Sequence, residues 1–276
     1  DRRGYRVHGA DVTFPEDRLR IEIRAAAEVL TELDAFASAV QTVMRREIRV
    51  LTTEVDGKNC RILLEEAQQL VASMGAACAA VSRTGVSGDS VGERRMERGR
   101  VLYALSDGMG AGEEAKGESD SALRLLFDLY DAGFTRDVAL ESVNRLLLER
   151  RADMYATLDA VFLDLRSGEA EFMKYGAPPS YLYRGVQLHE VRSEALPAGI
   201  VDEAVPSISL AKLKRQDTLF LFTDGALDAL GGQLTEAIRT AVKDTKTCQE
   251  AAQALLERAC AGERADDMTV MVIRIA

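Results

Sequence analysis

Four aspartates set beside small, flexible residues are the side chains whose spacing could do chemistry together. They are Asp89 in Ser87-Gly88-Asp89-Ser90, Asp107 in Ser106-Asp107-Gly108-Met109-Gly110-Ala111-Gly112, Asp224 in Thr223-Asp224-Gly225, and Asp266 in Asp266-Asp267-Met268-Thr269. Asp107 and Asp224 directly follow short apolar runs that read as buried strands, and Asp266 directly precedes one. Carboxylates at strand ends sit on one rim of a sheet and can converge though far apart in sequence. A neighbouring glycine lets the backbone approach an ion and present a carbonyl to it. Any single Asp-Gly pair is equally an ordinary turn. Two strand-Asp-Gly units, together with S-G-D and a D-D-M-T before a final strand, are much harder to obtain by chance.

Oxygen donors without His or Cys select hard cations: magnesium, manganese or calcium. Converging carboxylates repel one another, so either cations bind or the groups hold protons. Two cations about 4 Å apart can activate a water and clamp a phosphate for in-line attack, with no protein nucleophile. That agrees with a chain holding only two histidines, His8 and His189, in strand-like or terminal stretches. A Ser-His-Asp or Cys-His mechanism has little to build on. A calcium-binding module is disfavoured because no D-x-D-x-D loop is present. Cys60, Cys78, Cys248 and Cys260 form no C-x-x-C pair, which argues against zinc and disulfides and for a reducing cytoplasm.

The elements that must position these aspartates divide at about residue 67. Residues 1–67 read as a small α/β module: strands at Tyr5–Ala10 and Leu19–Ile23, a helix from Leu33 to Ile48, and strands at Val50–Val55 and Arg61–Leu64 around an Asp56-Gly57 turn. No catalytic constellation appears there, and a regulatory or dimerising role fits it, so a homodimer is expected. Residues 68–276 change texture. Gly75–Val81 is a small-residue apolar run and Val101–Leu105 a short buried strand. Helices are expected at about 113–130 and 135–151, followed by strands at Leu158–Leu165, Ala170–Tyr175, Ser180–Tyr183, Gln187–Val191 and Thr218–Phe222. Helices at about 233–243 and 248–261 and a last strand, Met268–Ile275, complete the order. Strands, helix pair, strands, helix pair, strand suits two packed sheets with helices outside.

A net charge of −10 argues against nucleic acid as a partner, since gripping a phosphate backbone takes clustered Lys and Arg. No apolar run approaches the roughly 20 residues of a membrane helix. The chain starts at Asp1 without an initiator methionine or a signal-peptide pattern, so it reads as a piece of a longer protein, and a membrane anchor elsewhere stays open.

At the four aspartate motifs, in their order, the sequence resembles the PPM superfamily of metal-dependent protein phosphatases, and within it the phosphatase domains of the stage II sporulation protein E family. The resemblance covers about residues 70–276. It includes Val86-Ser87-Gly88-Asp89-Ser90, the D-G-M-G-x-G run with Glu118-Ser119, Thr157-Leu158-Asp159, Gly176-x-x-Pro179-Ser180, Leu196-Pro197-x-Gly199-Ile200 and Asp266-Asp267-Met268-Thr269-Val270. It implies an αββα sandwich, two antiparallel sheets flanked by helix pairs. It also implies two divalent cations, manganese or magnesium, with Asp107 bridging both, the Gly108 carbonyl on one, and Asp89, Asp224 and Asp266 completing the set. The implied substrate is a phosphoserine on a phosphorylated anti-anti-sigma-factor protein. The helices after D-G-M-G-x-G are implied to act as a switch, with Gly176 in reach of them. The implied full-length protein is anchored at the cytoplasmic face of the membrane.

Where the family has a glycine-rich run before S-G-D, this chain has Val81-Ser82-Arg83-Thr84. Arg83 is either a donor to substrate phosphate or an exposed surface arginine. Asp267 stands where other branches have Asn, which leaves its ligation open. Asp159 and Asp164 read as structural or surface residues, and the charged run 93–100 as a solvated hairpin. Two further readings remain: a PPM phosphatase of another stress or signalling pathway, and a catalytically silent scaffold of the same fold.

Overall fold

The computed structural model describes residues 4–15, 19–67, 70–81, 85–110, 112–150, 155–262 and 265–276. The chain forms two compact units, Asp1–Gln69 with Glu97–Gly99, and Leu70–Met96 with Arg100–Ala276. In the first, four antiparallel strands, β1 (Val7–Thr13), β2 (Arg20–Ala26), β3 (Ile48–Asp56) and β4 (Asn59–Glu66), lie in the order β1-β2-β4-β3. One helix, α1 (Leu33–Met44), adds Phe36 to a core of Ile21, Ile23, Ile62 and Leu64. The apolar spacing predicted a helix as far as Ile48. It stops at Met44 because Arg45 turns left-handed (φ 53°), and Ile48 is instead the first residue of β3, buried in the sheet's core.

In the second unit the strands sort into two five-stranded sheets. One contains β5 (Ala72–Ala79), β10 (Ser180–Arg184), β11 (Gln187–Val191), β13 (Thr218–Phe222) and β14 (Met268–Ile275), in the order β11-β10-β13-β14-β5. The other contains β6 (Asp89–Met96), β7 (Arg100–Asp107), β8 (Leu158–Asp164), β9 (Glu169–Tyr175) and β12 (Ser207–Lys212), in the order β12-β9-β8-β7-β6. Alternation along each strand builds three cores. Tyr103, Val161 and Phe172 face Leu219, Leu221 and Met271 between the sheets. Leu102, Ala160 and Met173 face α2 (Glu113–Asp131) and α3 (Arg136–Arg150). Phe220, Phe222 and Val270 face α4 (Asp224–Leu230), α5 (Leu234–Asp244) and α6 (Cys248–Ala259). Strands buried on both sides read as nearly continuous apolar runs. The architecture is the αββα sandwich.

Strand β6 was read only in part, as one arm of a charged hairpin at 93–100, and two further elements escaped the sequence reading. Strand β12 carries exposed Leu210 and Lys212 at a sheet edge and shows no clear alternation, and α4 is a seven-residue helix starting directly at Asp224. The small residues of β5 have a packing reason: a Cβ on Gly75 would lie 2.2 Å from the Gln249 backbone nitrogen, so α6 can approach only a bare strand there. Gln249 also caps the free side of this edge strand, donating from Nε2 to the Ala76 carbonyl and accepting from its amide.

Asp159, expected to be structural or at the surface, is 1% exposed and paired with equally buried Lys174 at 2.6 Å. Lys174 Nζ also donates to Pro178 O and Ser180 Oγ, both at 2.7 Å, and Ser180 Oγ donates to Asp159. The group joins β8 and β9 of one sheet to the first residue of β10 in the other. Asp159→Ala leaves a buried ammonium without its carboxylate and should cost about 3–5 kcal/mol, read as a lowered urea midpoint. Joint replacement, Asp159→Leu with Lys174→Met, should recover most of that loss.

Candidate metal centre

Asp89 opens β6 and Asp107 closes β7, and the antiparallel register sets them directly opposite each other. Both strand ends are held from outside. Thr157 donates its amide to Asp107 O at 2.9 Å, and its Oγ1 accepts the Asp107 amide at 3.2 Å. The Thr223 hydroxyl, itself accepting the Thr269 amide, donates to Asp89 Oδ2 at 3.2 Å. Asp224 follows Thr223 as the first residue of α4, and Asp266 lies two residues before β14. These two segments touch: a Cβ on Gly225 would fall 2.4 Å from Asp267 O and 3.1 Å from the Asp266 Cβ.

Adjacent Asp266 and Asp267 have separate situations. Asp267 is buried, and its two oxygens accept the Val81 and Gly88 amides, each at 2.6 Å, which ties the segment ahead of Asp89 to the start of β14. Asp266 and Asp224 are exposed, each accepting the amide of the next residue in the chain.

Burial pushes Asp89 up to about 6, with the Asp267 charge adding to the shift. Asp107 is pushed up to about 9, first by burial and then by the charges of Asp89, Asp224 and Asp266. The charges of the other three aspartates thus reach Asp107. Among the described residues, however, no three acidic, His or Cys side chains are closed into a set that holds an ion.

The residues fit a hard cation on three counts. The donors are oxygens only. Asp89 Oδ1 is buried and, among the described residues, without a hydrogen-bond partner. Gly108 is tightly enclosed, its hypothetical Cβ falling 2.1 Å from the Ala115 carbonyl of α2. In a second group beside Asp89, Ser119 was part of the family resemblance while Lys116 and Asp120 went unread in the sequence. Lys116 Nζ donates to Asp89 O at 2.8 Å and Ser90 Oγ at 2.9 Å, and pairs with Asp120 at 3.2 Å, while Ser119 Oγ donates to Gly88 O at 2.5 Å. For Lys116 and Asp120 the available signal was their helical spacing from Ser119. Arg83 lies outside the described residues. Gly176 is left-handed (φ 56°), and the residue pressed against it is Pro197.

The family model for stage II sporulation protein E (SpoIIE) matches residues 97–276. This chain belongs to the SpoIIE family. Stage II sporulation protein E of Bacillus subtilis (strain 168) is 35% identical over 213 residues, covering 74% of this chain and 26% of that protein. The Priestia megaterium protein is 31% identical over 226 residues, 78% of this chain and 38% of that one. The chain thus spans about a quarter to two fifths of the curated relatives it matches. The solved PP2C phosphatase domain of Bacillus subtilis SpoIIE, with a fragment of its regulatory domain, superposes with a TM-score of 0.71 at 27% identity, covering 99% of this chain and 84% of that one. The catalytic domain of the serine/threonine phosphatase PstP, in complex with two manganese ions, shares the fold at a TM-score of 0.59 and 21% identity, covering 75% of this chain and 99% of that one. The SpoIIE-family chain carries a PPM-type serine/threonine phosphatase domain.

A carboxyl group whose pKa rises on folding adds stability below its unfolded value, near 4, and loses it as pH climbs through the folded value. Protein stripped of metal by EDTA should therefore lose urea resistance steadily between about pH 4 and pH 9, the window set by Asp107. Asp107→Asn should flatten that slope, and manganese should restore most resistance at the alkaline end.

Proposed function

We propose that this chain removes phosphate from a phosphoserine of a protein, with two divalent cations, manganese or magnesium, held by Asp89, Asp107, Asp224, Asp266 and the Gly108 carbonyl. The observation that carries this reading is geometric: the register sets Asp89 opposite Asp107, Thr223 beside Asp224 bonds to Asp89, and Gly225 packs against Asp266. The two manganese ions in the PstP catalytic domain support the choice of cation. When bound, the ions supply an activated water and a positive clamp on the phosphoryl oxygens. The chain's own residues provide the rest. Asp107, braced on Thr157, presents its carboxylate from the end of a buried strand. Asp89 is fixed by Thr223, and Asp267 holds the Gly88 backbone beside it. Asp224 and Asp266 would supply the second pair of carboxylates.

The finer reading is a phosphorylated anti-anti-sigma-factor protein as substrate, supported by membership of the sporulation family. The first unit is read as regulatory or dimerising, supported by overlap of 99% of this chain with a structure that includes a regulatory fragment. No helix among the described residues is long and apolar enough to cross a membrane; attachment at the cytoplasmic membrane face belongs to the same reading and is supported by membership of the sporulation family.

Release of inorganic phosphate from a phosphoserine peptide should require manganese or magnesium and fall at least 100-fold in Asp107→Asn. Equal turnover by the two proteins overturns the site. A panel of phosphorylated anti-anti-sigma proteins, set beside unrelated phosphoproteins, tests the substrate. Equal kcat/KM across both groups rejects the sporulation assignment.

A further inference from the structure

Asn144 is 1% exposed in the middle of α3, and its amide is fully used. Nδ2 donates to Val201 O and Asp202 O, both at 2.9 Å, and Oδ1 accepts the Gly199 amide at 2.8 Å. A side chain with two donors and one acceptor, all engaged by a single loop, gives that loop one position on the helix. The loop in turn belongs to a narrow ladder of three extended segments. Ala198 and Ala156 exchange amide–carbonyl bonds at 2.9 and 3.1 Å, and Ala156 bridges Gly108. On the inner side of the ladder, the Thr157 amide donates to Asp107 O and the Met109 amide to Tyr155 O. The path from α3 to the Asp107–Gly108 backbone is thus continuous: Asn144, Gly199, Ala198, Ala156, Gly108.

We propose that Asn144 is a positioning residue for the metal centre, setting cation affinity by fixing the outer end of the ladder that holds Asp107 and Gly108. The proposal rests on the reading of those two residues as metal ligands. Asn144 touches neither substrate nor ion. It acts through the backbone, as groups behind a first ligand do elsewhere, where their loss costs about 10–100-fold in metal affinity.

The test uses the full chain. In Asn144→Ala, the manganese dissociation constant from calorimetry should rise about tenfold, while kcat at saturating manganese stays within about twofold. Amide exchange at Thr157 and Met109 should quicken in the same variant without metal. Arg184→Ala, which breaks the Arg184–Asp217 pair in the other sheet, serves as the stability control: it should lower the melting temperature and leave manganese affinity unchanged. Wild-type manganese affinity in Asn144→Ala overturns the proposal, whatever its melting temperature. Should that variant not fold, Asn144→Ser, which keeps one donor, is read by the same criteria. Coupling between two places is reciprocal, so in the wild type manganese should slow exchange of the Gly199 amide, and unchanged protection there also overturns the proposal. If the wild type binds no manganese, or Asp107→Asn binds it as tightly, the metal reading itself fails and takes this one with it.

Discussion

Bringing several carboxylates to one partly buried place is the constraint on which this molecule turns. Asp89 and Asp107 lose water on burial and gain like-charged neighbours, and both effects favour their protonated forms. Asp107 bears both, and Asp89 beside it has a buried oxygen without a partner among the described residues. A hydrophobic core cannot offset such an arrangement at the spot where it acts; only positive charge can. That is why the local chemistry favours hard cations although the chain as a whole carries a net charge of −10. It is also why a protein of that charge could accept a phosphorylated partner, since bound cations would reverse the field where the phosphate must sit.

Holding the acids together falls to neutral hydrogen bonds and close backbone packing. Thr157 and Thr223 brace the ends of β7 and β13, one in each sheet, so the sandwich edge is pinned from both sides. Asp267 lies next to Asp266 in sequence and does a different job: its carboxylate is saturated by two backbone amides, while that of Asp266 stays exposed. Both residues lie in the turn just ahead of β14, and there one becomes a clamp while its neighbour stays a candidate ligand. At Gly108 the helix layer enters the site, because the Ala115 carbonyl occupies the space where any side chain would stand.

Membership of the SpoIIE family and the shared sandwich place this chain among PPM-type phosphatases. In the second unit, three apolar layers lie helix pair to sheet, sheet to sheet and sheet to helices. A fold so covered leaves its chemistry to the strand ends, where the backbone emerges from the layers and polar groups can gather.

The sequence by itself determined much of this protein. The apolar strand at Thr218–Phe222 and the closing strand Met268–Ile275 were legible because burial on both faces imposes an unmistakable composition. The aspartates stood out because Asp-Gly after an apolar run is a local pattern. Helix ends at Met44 and Ala259 were less legible, since a left-handed residue or a change of partner stops a helix without altering its periodicity. Tertiary structure alone decided that Asp89 faces Asp107 across a hairpin, that Asp159 pairs with Lys174 in the interior, and that Asn144 grips a loop more than fifty residues away. Those facts depend on which strands become neighbours. Pairing is settled by the packing of whole layers, and no window of the chain contains it.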